Sequence, residues 1–252
     1  MYEPNVSLIL KSLKPSDKVL DIGGWACPFN RADYVMDAEP YETRGYYRTI
    51  GGPPSQGGDA EHFAAETWIR RDICDREPYP FADKEFDFVI CSHTLEDLRD
   101  PLFVCSEMIR VGRRGYIEMP SREWETCRGC ESPNIAGLSH HRWLAEIDGD
   151  EITFLMKYHM IHSHWRFNFP PAHLREMPEA GAFQWLHWEG SFTFSERTIH
   201  GVGEQAAELE SFVRRVRPYP AWRLAADAQA RGVLSHAQRI GRGVRRRLFQ
   251  PS

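Results

Sequence analysis

The chain has 252 residues, of which 42% are hydrophobic, and a formal net charge of −5. This length suffices for one large domain or for one domain with a modest extension. The charge gives no global signature of nucleic-acid binding, and no segment approaches the roughly 20 consecutive apolar residues that span a bilayer. Since the first 13 residues also lack a signal-peptide pattern, we expect a soluble protein of the cytoplasm.

The first half of the chain alternates short apolar runs with turn residues and helical stretches. This pattern is typical of a parallel sheet covered by helices. Between the last two predicted strands, residues 101–111 form a predicted helix, with Asp100 as its N-cap and Pro101 in its first turn. The predicted strands cover residues 18–23, 33–37, 67–73, 86–92 and 115–120.

The pattern changes after Pro120. Residues 141–147 and 151–157 flank the dipeptide Asp148-Gly149, which is typical of a type I′ β-hairpin. We therefore predict that an antiparallel hairpin follows the parallel strands within the same sheet.

The C-terminal third of the sequence no longer shows the alternation of strands and helices seen in the first half. We predict a core over residues 1–169 and an extension over 170–252 that packs on it, with a strand over 191–199 and helices over 204–216 and 221–249. The last helix ends in a basic tail, which carries Arg239, Arg242, Arg245, Arg246 and Arg247.

Glycines and an aspartate follow the first predicted strand, where open α/β sheets bind their ligands. Asp21 comes just before Gly23 and Gly24, and glycine lets the backbone approach a ligand closely. The dinucleotide fingerprint GxGxxG is absent. The motif therefore argues against NAD or FAD and favours a nucleoside cofactor without phosphates.

Polar residues also end the next three strands. Asp37 ends the second strand, where an acidic side chain can bind both ribose hydroxyls. Asp72 and Ile73 end the third, where a carboxylate can accept from an adenine amino group and isoleucine can cover the ring. Ser92 and His93 end the fourth, beside the reacting end of such a cofactor. Each aspartate taken alone is equally consistent with a turn or capping residue.

Four segments within residues 17–122 resemble the type-11 branch of class I S-adenosylmethionine (SAM)-dependent methyltransferases: VLDIGG, PFNRADYVMD, RRDICDREPYPFADKEFDFVICSHTLEDLRDP and RVGRRGYIEMPS. The resemblance implies a Rossmann-like α/β fold and SAM as cofactor. This sequence departs from the family pattern at two places. The turn at 25–28 lacks the second glycine-x-glycine step that the family often has, and Asp97 stands where the family often has histidine. The implied cofactor residues are Asp21, Gly23 and Gly24 in the glycine motif, Asp37 at the ribose, and Asp72 with Ile73 at the adenine.

Methyl transfer to a hydroxyl is helped by a general base, and histidine suits this role near neutral pH. His140 and His141 in LSHHRW begin the predicted hairpin, where adjacent side chains point to opposite faces. We favour His141 because Trp143 would share its face and wall the acceptor site, with His93 as an alternative. The HHRW motif also resembles that of some bacterial methyltransferases associated with glycan synthesis.

Two groups of residues raise the question of a metal. Glu96, Asp97 and Glu118 could hold Mg²⁺ between them, but their positions favour turn, capping and core roles, so we predict little metal dependence. Cys127 and Cys130 have the spacing of half a zinc site, with His140 and His141 nearest to complete it. Because no second such pair exists, the two thiols fit better as reduced cysteines in a polar loop.

The sequence thus predicts a SAM-dependent methyltransferase that acts on a hydroxyl of a small molecule or a carbohydrate. Two alternatives stay open: an N-methyltransferase, whose amine nucleophile needs no base, and a catalytically inactive SAM-fold protein that serves in binding or assembly. The sequence also leaves a homo-oligomer open.

Overall fold

The computed structural model describes residues 1–220, 222 and 226. Its helices are α1 (Glu3–Ser12), α2 (Pro101–Val111), α3 (Arg122–Glu125), α4 (Pro171–Glu176) and α5 (Val202–Val216). Its strands are β1 (Val19–Ile22), β2 (Tyr34–Asp37), β3 (Trp68–Arg70), β4 (Phe88–Ser92), β5 (Arg114–Pro120), β6 (Trp143–Asp148), β7 (Glu151–Met156), β8 (Phe183–Glu189) and β9 (Thr193–Glu196).

The central sheet has six strands in the order β3-β2-β1-β4-β5-β8, and β8 alone is antiparallel to its neighbour. β1 and β4 lie in the middle, and their apolar runs are buried, as expected for strands covered on both faces. The five parallel strands all end at one edge of the sheet. This confirms the predicted Rossmann-like α/β class and brings the polar strand ends to that edge.

Of two helices that pack on the central sheet, one was predicted from local sequence signals and the other was not. Helix α2 spans the predicted residues, and the carboxylate of Asp100 caps it by accepting from the Phe103 amide at 3.1 Å. Helix α1, which the sequence analysis did not predict, buries Val6 and Ile9 against the sheet beside Val19. This packing places α1 along one face of the central strands, and the Tyr2 amide just before the helix donates to Glu118 in β5.

The predicted hairpin forms, but not in the central sheet. β6 and β7 pair antiparallel and join β9 in a second, three-stranded sheet. The edge of β5 is taken by β8, which pairs along its whole length from Arg114 to Pro120 and leaves no room for the hairpin. The turn also differs from the type I′ prediction, because its two loop residues are Gly149 and Asp150 and only Gly149 has positive φ, at 60°. That pattern is typical of a type II′ turn.

The C-terminal segment contributes to both sheets. β9 and α5 confirm the predicted strand over 191–199 and the helix over 204–216. The division at residue 169 stays a prediction, and β8 beyond it completes the central sheet. The predicted helix over 221–249 and its arginines fall outside the described residues, apart from positions 222 and 226. In the described part of the chain, no helix has the length and apolar character needed to cross a membrane.

Candidate functional site

A cavity of about 620 Å³ opens at the carboxyl edge of the central sheet. One wall is formed by strand ends and the turn after β1, and the other by α1 and the loop over 53–59. Five residues predicted to bind cofactor line this main cavity: Asp21, Gly23, Gly24, Ser92 and His93.

The turn after β1 depends on its two glycines and on Asp21. Gly23 has a φ of 78°, and a Cβ there would lie 2.3 Å from the Thr94 side chain. A Cβ on Gly24 would lie 2.3 Å from the Asp21 carboxylate, which accepts from the Phe29 amide at 2.8 Å. Burial raises the pKa of Asp21 to about 7. This carboxylate anchors the turn, which closes without the family's second glycine-x-glycine step.

The three residues predicted to contact the nucleoside do not line the main cavity. Asp37 accepts from the amides of Trp25, at 3.0 Å, and Glu39, at 2.9 Å. Asp72 is paired with Arg99 and accepts from the Cys74 amide at 2.9 Å. Ile73 is buried in the hydrophobic core. The contacts of these three residues with a cofactor stay predictions. To make them, each side chain would have to bind the cofactor in addition to its present partners.

His93 is held as a cation between two carboxylates. Its backbone has an unusual positive φ of 52°, and its Nε2–H donates to Glu118 at 3.0 Å while Nδ1 lies 3.6 Å from Glu96. Burial by itself lowers the pKa of His93, but the hydrogen bond to Glu118 and the nearby carboxylate of Glu96 outweigh it and raise the pKa to about 9. A histidine that keeps its proton at neutral pH is a poor general base, which weighs against the alternative predicted for His93.

A second, smaller cavity of about 100 Å³ adjoins the main cavity. Tyr47 and His93 belong to the walls of both cavities and form the boundary between them. The remaining wall of the small cavity consists of Asp97, Pro120, Trp124, Leu138, His140, His141, Ala182 and Phe183.

His141 lies on this wall in a defined orientation. Its Nδ1 is 2.8 Å from Glu125 Oε2, and the other Glu125 oxygen accepts from the buried ammonium of Lys157. Burial lowers the pKa of His141, but Glu125 more than offsets this and raises it above the ordinary value. The Nε2 atom lies 3.7 Å from Asp97 Oδ1.

His140, by contrast, exposes 62% of its side chain. The two histidines therefore occupy different environments. This difference does not come from strand alternation, because both residues precede β6, which begins at Trp143. The prediction that Trp143 walls the site is wrong. Its ring is buried against Phe154 and donates to the Leu98 carbonyl at 2.7 Å, and Trp124 is the tryptophan on the cavity wall.

The carboxylates considered for Mg²⁺ lie in different environments. Glu118 accepts from the Tyr2 amide at 2.9 Å, from the Tyr116 hydroxyl and from His93. Glu96 is 2% exposed, and its side-chain oxygens have no hydrogen-bond partner among the described residues. Burial raises the pKa of Asp97 to about 6.

The two thiols with zinc-like spacing have backbone partners. Cys127 Sγ donates to the Glu123 carbonyl at 3.3 Å, and Cys130 Sγ lies 3.8 Å from the Trp124 carbonyl. Both cysteines are free. No disulfide joins them, and reduced thiols without a zinc ion at this position stay a prediction.

Sequence reasoning missed several residues of the site. Tyr47 lies at the start of a Gly- and Pro-rich stretch over residues 47–59 that carries no binding motif, and Phe183 lies in the segment assigned to the extension. Glu125 and Lys157 are distant in sequence from each other and from His141. No local pattern identified these two residues, because their roles come from burial in a shared network.

The fold and the sequence together assign the chain to a class. The strand order, with an antiparallel last strand, is that of the Rossmann-like class I methyltransferase fold. Residues 3–130 match the family of the methionine biosynthesis protein MetW, and the chain belongs to this family. The resemblance to class I methyltransferases drawn from the sequence is thus confirmed for the fold.

Several solved structures share part of the architecture. The YcgJ protein from Bacillus subtilis has 18% identity and a TM-score of 0.31, over 48% of this chain and 52% of that one. A SAM-dependent methyltransferase from Aquifex aeolicus has 19% identity and a TM-score of 0.29, over 47% of this chain and 65% of that one. Each match covers less than two thirds of the solved chain. No curated protein matches the sequence.

Proposed function

We propose that this protein is a SAM-dependent methyltransferase that methylates a hydroxyl of a small molecule. The observation that carries the proposal is the junction of two cavities at Tyr47 and His93, with His141 held on the wall of the smaller one. In this arrangement the main cavity holds the cofactor and the small cavity holds the acceptor.

The main cavity fits SAM in size and in donor chemistry. Its volume of about 620 Å³ lies within the usual range of small-molecule sites. Ser92 Oγ is buried on its wall without a hydrogen-bond partner among the described residues, so it is free to bond a polar ligand group. Gly23, Gly24 and Ser92 would hold the methionine portion on the wall of the main cavity, and the nucleoside would extend beyond that cavity to Asp37, Asp72 and Ile73. When bound, SAM supplies a methyl group on a positively charged sulfur, which is already an activated leaving group.

His141 can remove the acceptor's proton in its neutral form, which its raised pKa shifts to higher pH. If Nδ1 carries hydrogen and donates it to Glu125, the Nε2 lone pair is left on the side of the small cavity. Nε2 would take the proton of the acceptor hydroxyl as its oxygen attacks the methyl group. The Glu125 carboxylate would then stabilise the imidazolium and hold the ring in place, as the aspartate does in a catalytic triad.

The size of the small cavity supports a compact acceptor. Its volume of about 100 Å³ is below the ~150 Å³ of a cavity that holds a benzene ring, so it admits only the reacting end of a molecule. Trp124 and Phe183 give it apolar, aromatic walls. The family's description as a methionine biosynthesis protein favours a metabolite over a polymeric glycan. A sugar hydroxyl or an amine is a less favoured acceptor.

The experiment has two parts. Calorimetry measures whether SAM binds the full chain, and release of S-adenosylhomocysteine measures turnover with a panel of small alcohols, phenols, sugars and amines. Binding with turnover on hydroxyl acceptors supports the proposal, and turnover on amines alone favours N-methylation. Binding without turnover on any acceptor favours a SAM-binding assembly protein, which the family's description also accommodates because it mentions no methyl transfer. Absence of SAM binding refutes the proposal.

A further inference from the structure

We propose that Asp97, His140 and His141 form a binding site for a divalent transition-metal ion on the wall of the small cavity. Each residue offers one ligand atom, and the three atoms lie within 4.8 Å of one another. Asp97 Oδ1 is 4.0 Å from His140 Nε2 and 3.7 Å from His141 Nε2. The site concerns ion binding and does not rest on the methyltransferase proposal.

The ring of His141 is already oriented as a metal ligand. Metal-bound histidines usually donate their second ring N–H to a carboxylate or carbonyl, which fixes the tautomer and the direction of the lone pair. Glu125 Oε2 occupies that position at 2.8 Å from Nδ1, and Lys157 holds the other Glu125 oxygen. The lone pair of Nε2 therefore lies on the side of Asp97.

A buried carboxylate oxygen without a hydrogen-bond partner lies beside the two imidazoles. Asp97 Oδ1 is buried and accepts no hydrogen bond from any residue that the structure describes. Both side-chain oxygens of Glu96 also lack a hydrogen-bond partner there, although the charge of Glu96 already faces the His93 imidazolium at 3.6 Å. Because buried carboxylate oxygens without partners are costly, a cation that bonds Asp97 and neutralises this charge would stabilise the site.

The three ligand atoms would close around an ion by moving closer together, chiefly through a shift of His140. With bonds of about 2.0–2.1 Å, the ligand atoms of a tetrahedral zinc site lie roughly 3.4 Å apart. The two distances to Asp97 exceed this by a few tenths of an ångström, and the distance between the two imidazoles stays within 4.8 Å. The largely exposed side chain of His140 has room to move closer. Two imidazoles and one carboxylate suit Zn²⁺, Co²⁺ or Ni²⁺ better than Mg²⁺. Three protein ligands also leave a coordination position for water or an acceptor.

Metal binding would have a consequence for the proposed reaction. The Nε2 lone pair of His141 is the atom assigned to proton removal, and it cannot bind a metal and a proton together. The metal-bound form and the base-competent form therefore exclude each other.

The test measures ion binding directly on the full chain after removal of metals with a chelator. Calorimetry with Zn²⁺, and visible absorption with Co²⁺, should give one ion per chain at this site. His140→Gln and Asp97→Asn should each weaken binding at least ~10- to 100-fold, since even loss of a partner behind the ligands has such an effect. His159→Gln, which changes an exposed histidine outside both cavities, should leave affinity unchanged.

Three binding results would overturn the proposed metal site. No binding in the wild type, or equal affinity in the wild type and both ligand variants, overturns the site. Weakened binding in His159→Gln would assign the ion to a different position and would also overturn it. Because His140 is exposed, His140→Gln should retain the fold, which circular dichroism checks. Neither readout requires turnover, so failure of the methyltransferase proposal would leave the metal result interpretable.

Discussion

The imidazole of His141 lies 2.8 Å from the carboxylate of Glu125, although 16 residues separate them in the sequence. Helix α3 contributes the glutamate, and the chain just before β6 contributes the histidine. Lys157, directly after β7, holds the other oxygen of that carboxylate. This network fixes the orientation of a ring that lies on the wall of the small cavity, and it leads to the first prediction.

His141→Gln should lower turnover roughly 10²–10⁴-fold, the usual effect of losing a general base. SAM affinity should be nearly unchanged, since His141 is not on the wall of the main cavity. Initial rates of S-adenosylhomocysteine release and calorimetry measure the two effects, with His159→Gln as the matched control. If His141→Gln retains more than about a tenth of wild-type turnover while chemistry limits the rate, His141 is not the base.

Asp37→Ala should weaken SAM binding by one to two orders of magnitude, equivalent to about 1.4–2.8 kcal/mol. The reason is the loss of the carboxylate assigned to the ribose hydroxyls. Because Asp37 also accepts from the Trp25 and Glu39 amides, Asp37→Asn, which keeps one acceptor oxygen, should have a smaller effect. Asp83→Ala changes an exposed aspartate and serves as the control. Unchanged affinity in Asp37→Ala would rule out the ribose assignment.

The buried carboxyl of Asp21 should make stability depend on pH in a direction opposite to that of a salt-bridged aspartate. Its pKa is about 7 in the folded chain against 3.8 for an ordinary aspartate. Between these values the folded chain keeps a proton that the unfolded chain has lost. This contribution to the free energy of unfolding therefore falls as pH rises from about 4 to about 7, and it is constant above that.

Asp21→Asn removes this titration and keeps an oxygen that can accept from the Phe29 amide. Its stability relative to the wild type should therefore increase between pH 5 and pH 8. Urea unfolding of both chains without cofactor, at several pH values, measures the difference. Parallel profiles for the two proteins would contradict the raised pKa.

Turnover should persist in EDTA, because the proposed reaction uses a histidine base. Added Zn²⁺ should inhibit by occupying His141 Nε2, and His140→Gln should need more Zn²⁺ for the same inhibition. Rates measured across a Zn²⁺ titration test this prediction. Loss of turnover in EDTA that Mg²⁺ restores would argue against it and would turn attention back to Glu96, Asp97 and Glu118 as ligands.

The sequence by itself determined the elements whose signals are local. Asp100 and Pro101 fixed the start of α2, since a cap and a proline in the first turn act within a few residues. The apolar runs of β1 and β4 predicted buried central strands, and parallel topology then brought Asp21 and Ser92 to the same cavity. Periodicity and caps encode burial and chain direction, which is why this much could be predicted.

Tertiary structure alone decided which elements meet. The hairpin pattern specified two paired strands but not the sheet they join. The edge of β5 is occupied by β8, which pairs with β5 from Arg114 to Pro120 and excludes the hairpin from that edge. The same holds for the site, where Trp124 rather than Trp143 lines the small cavity. Side-chain partners such as Glu125 and His141 depend on packing between segments distant in the sequence, and no residue pattern within either segment specifies that contact.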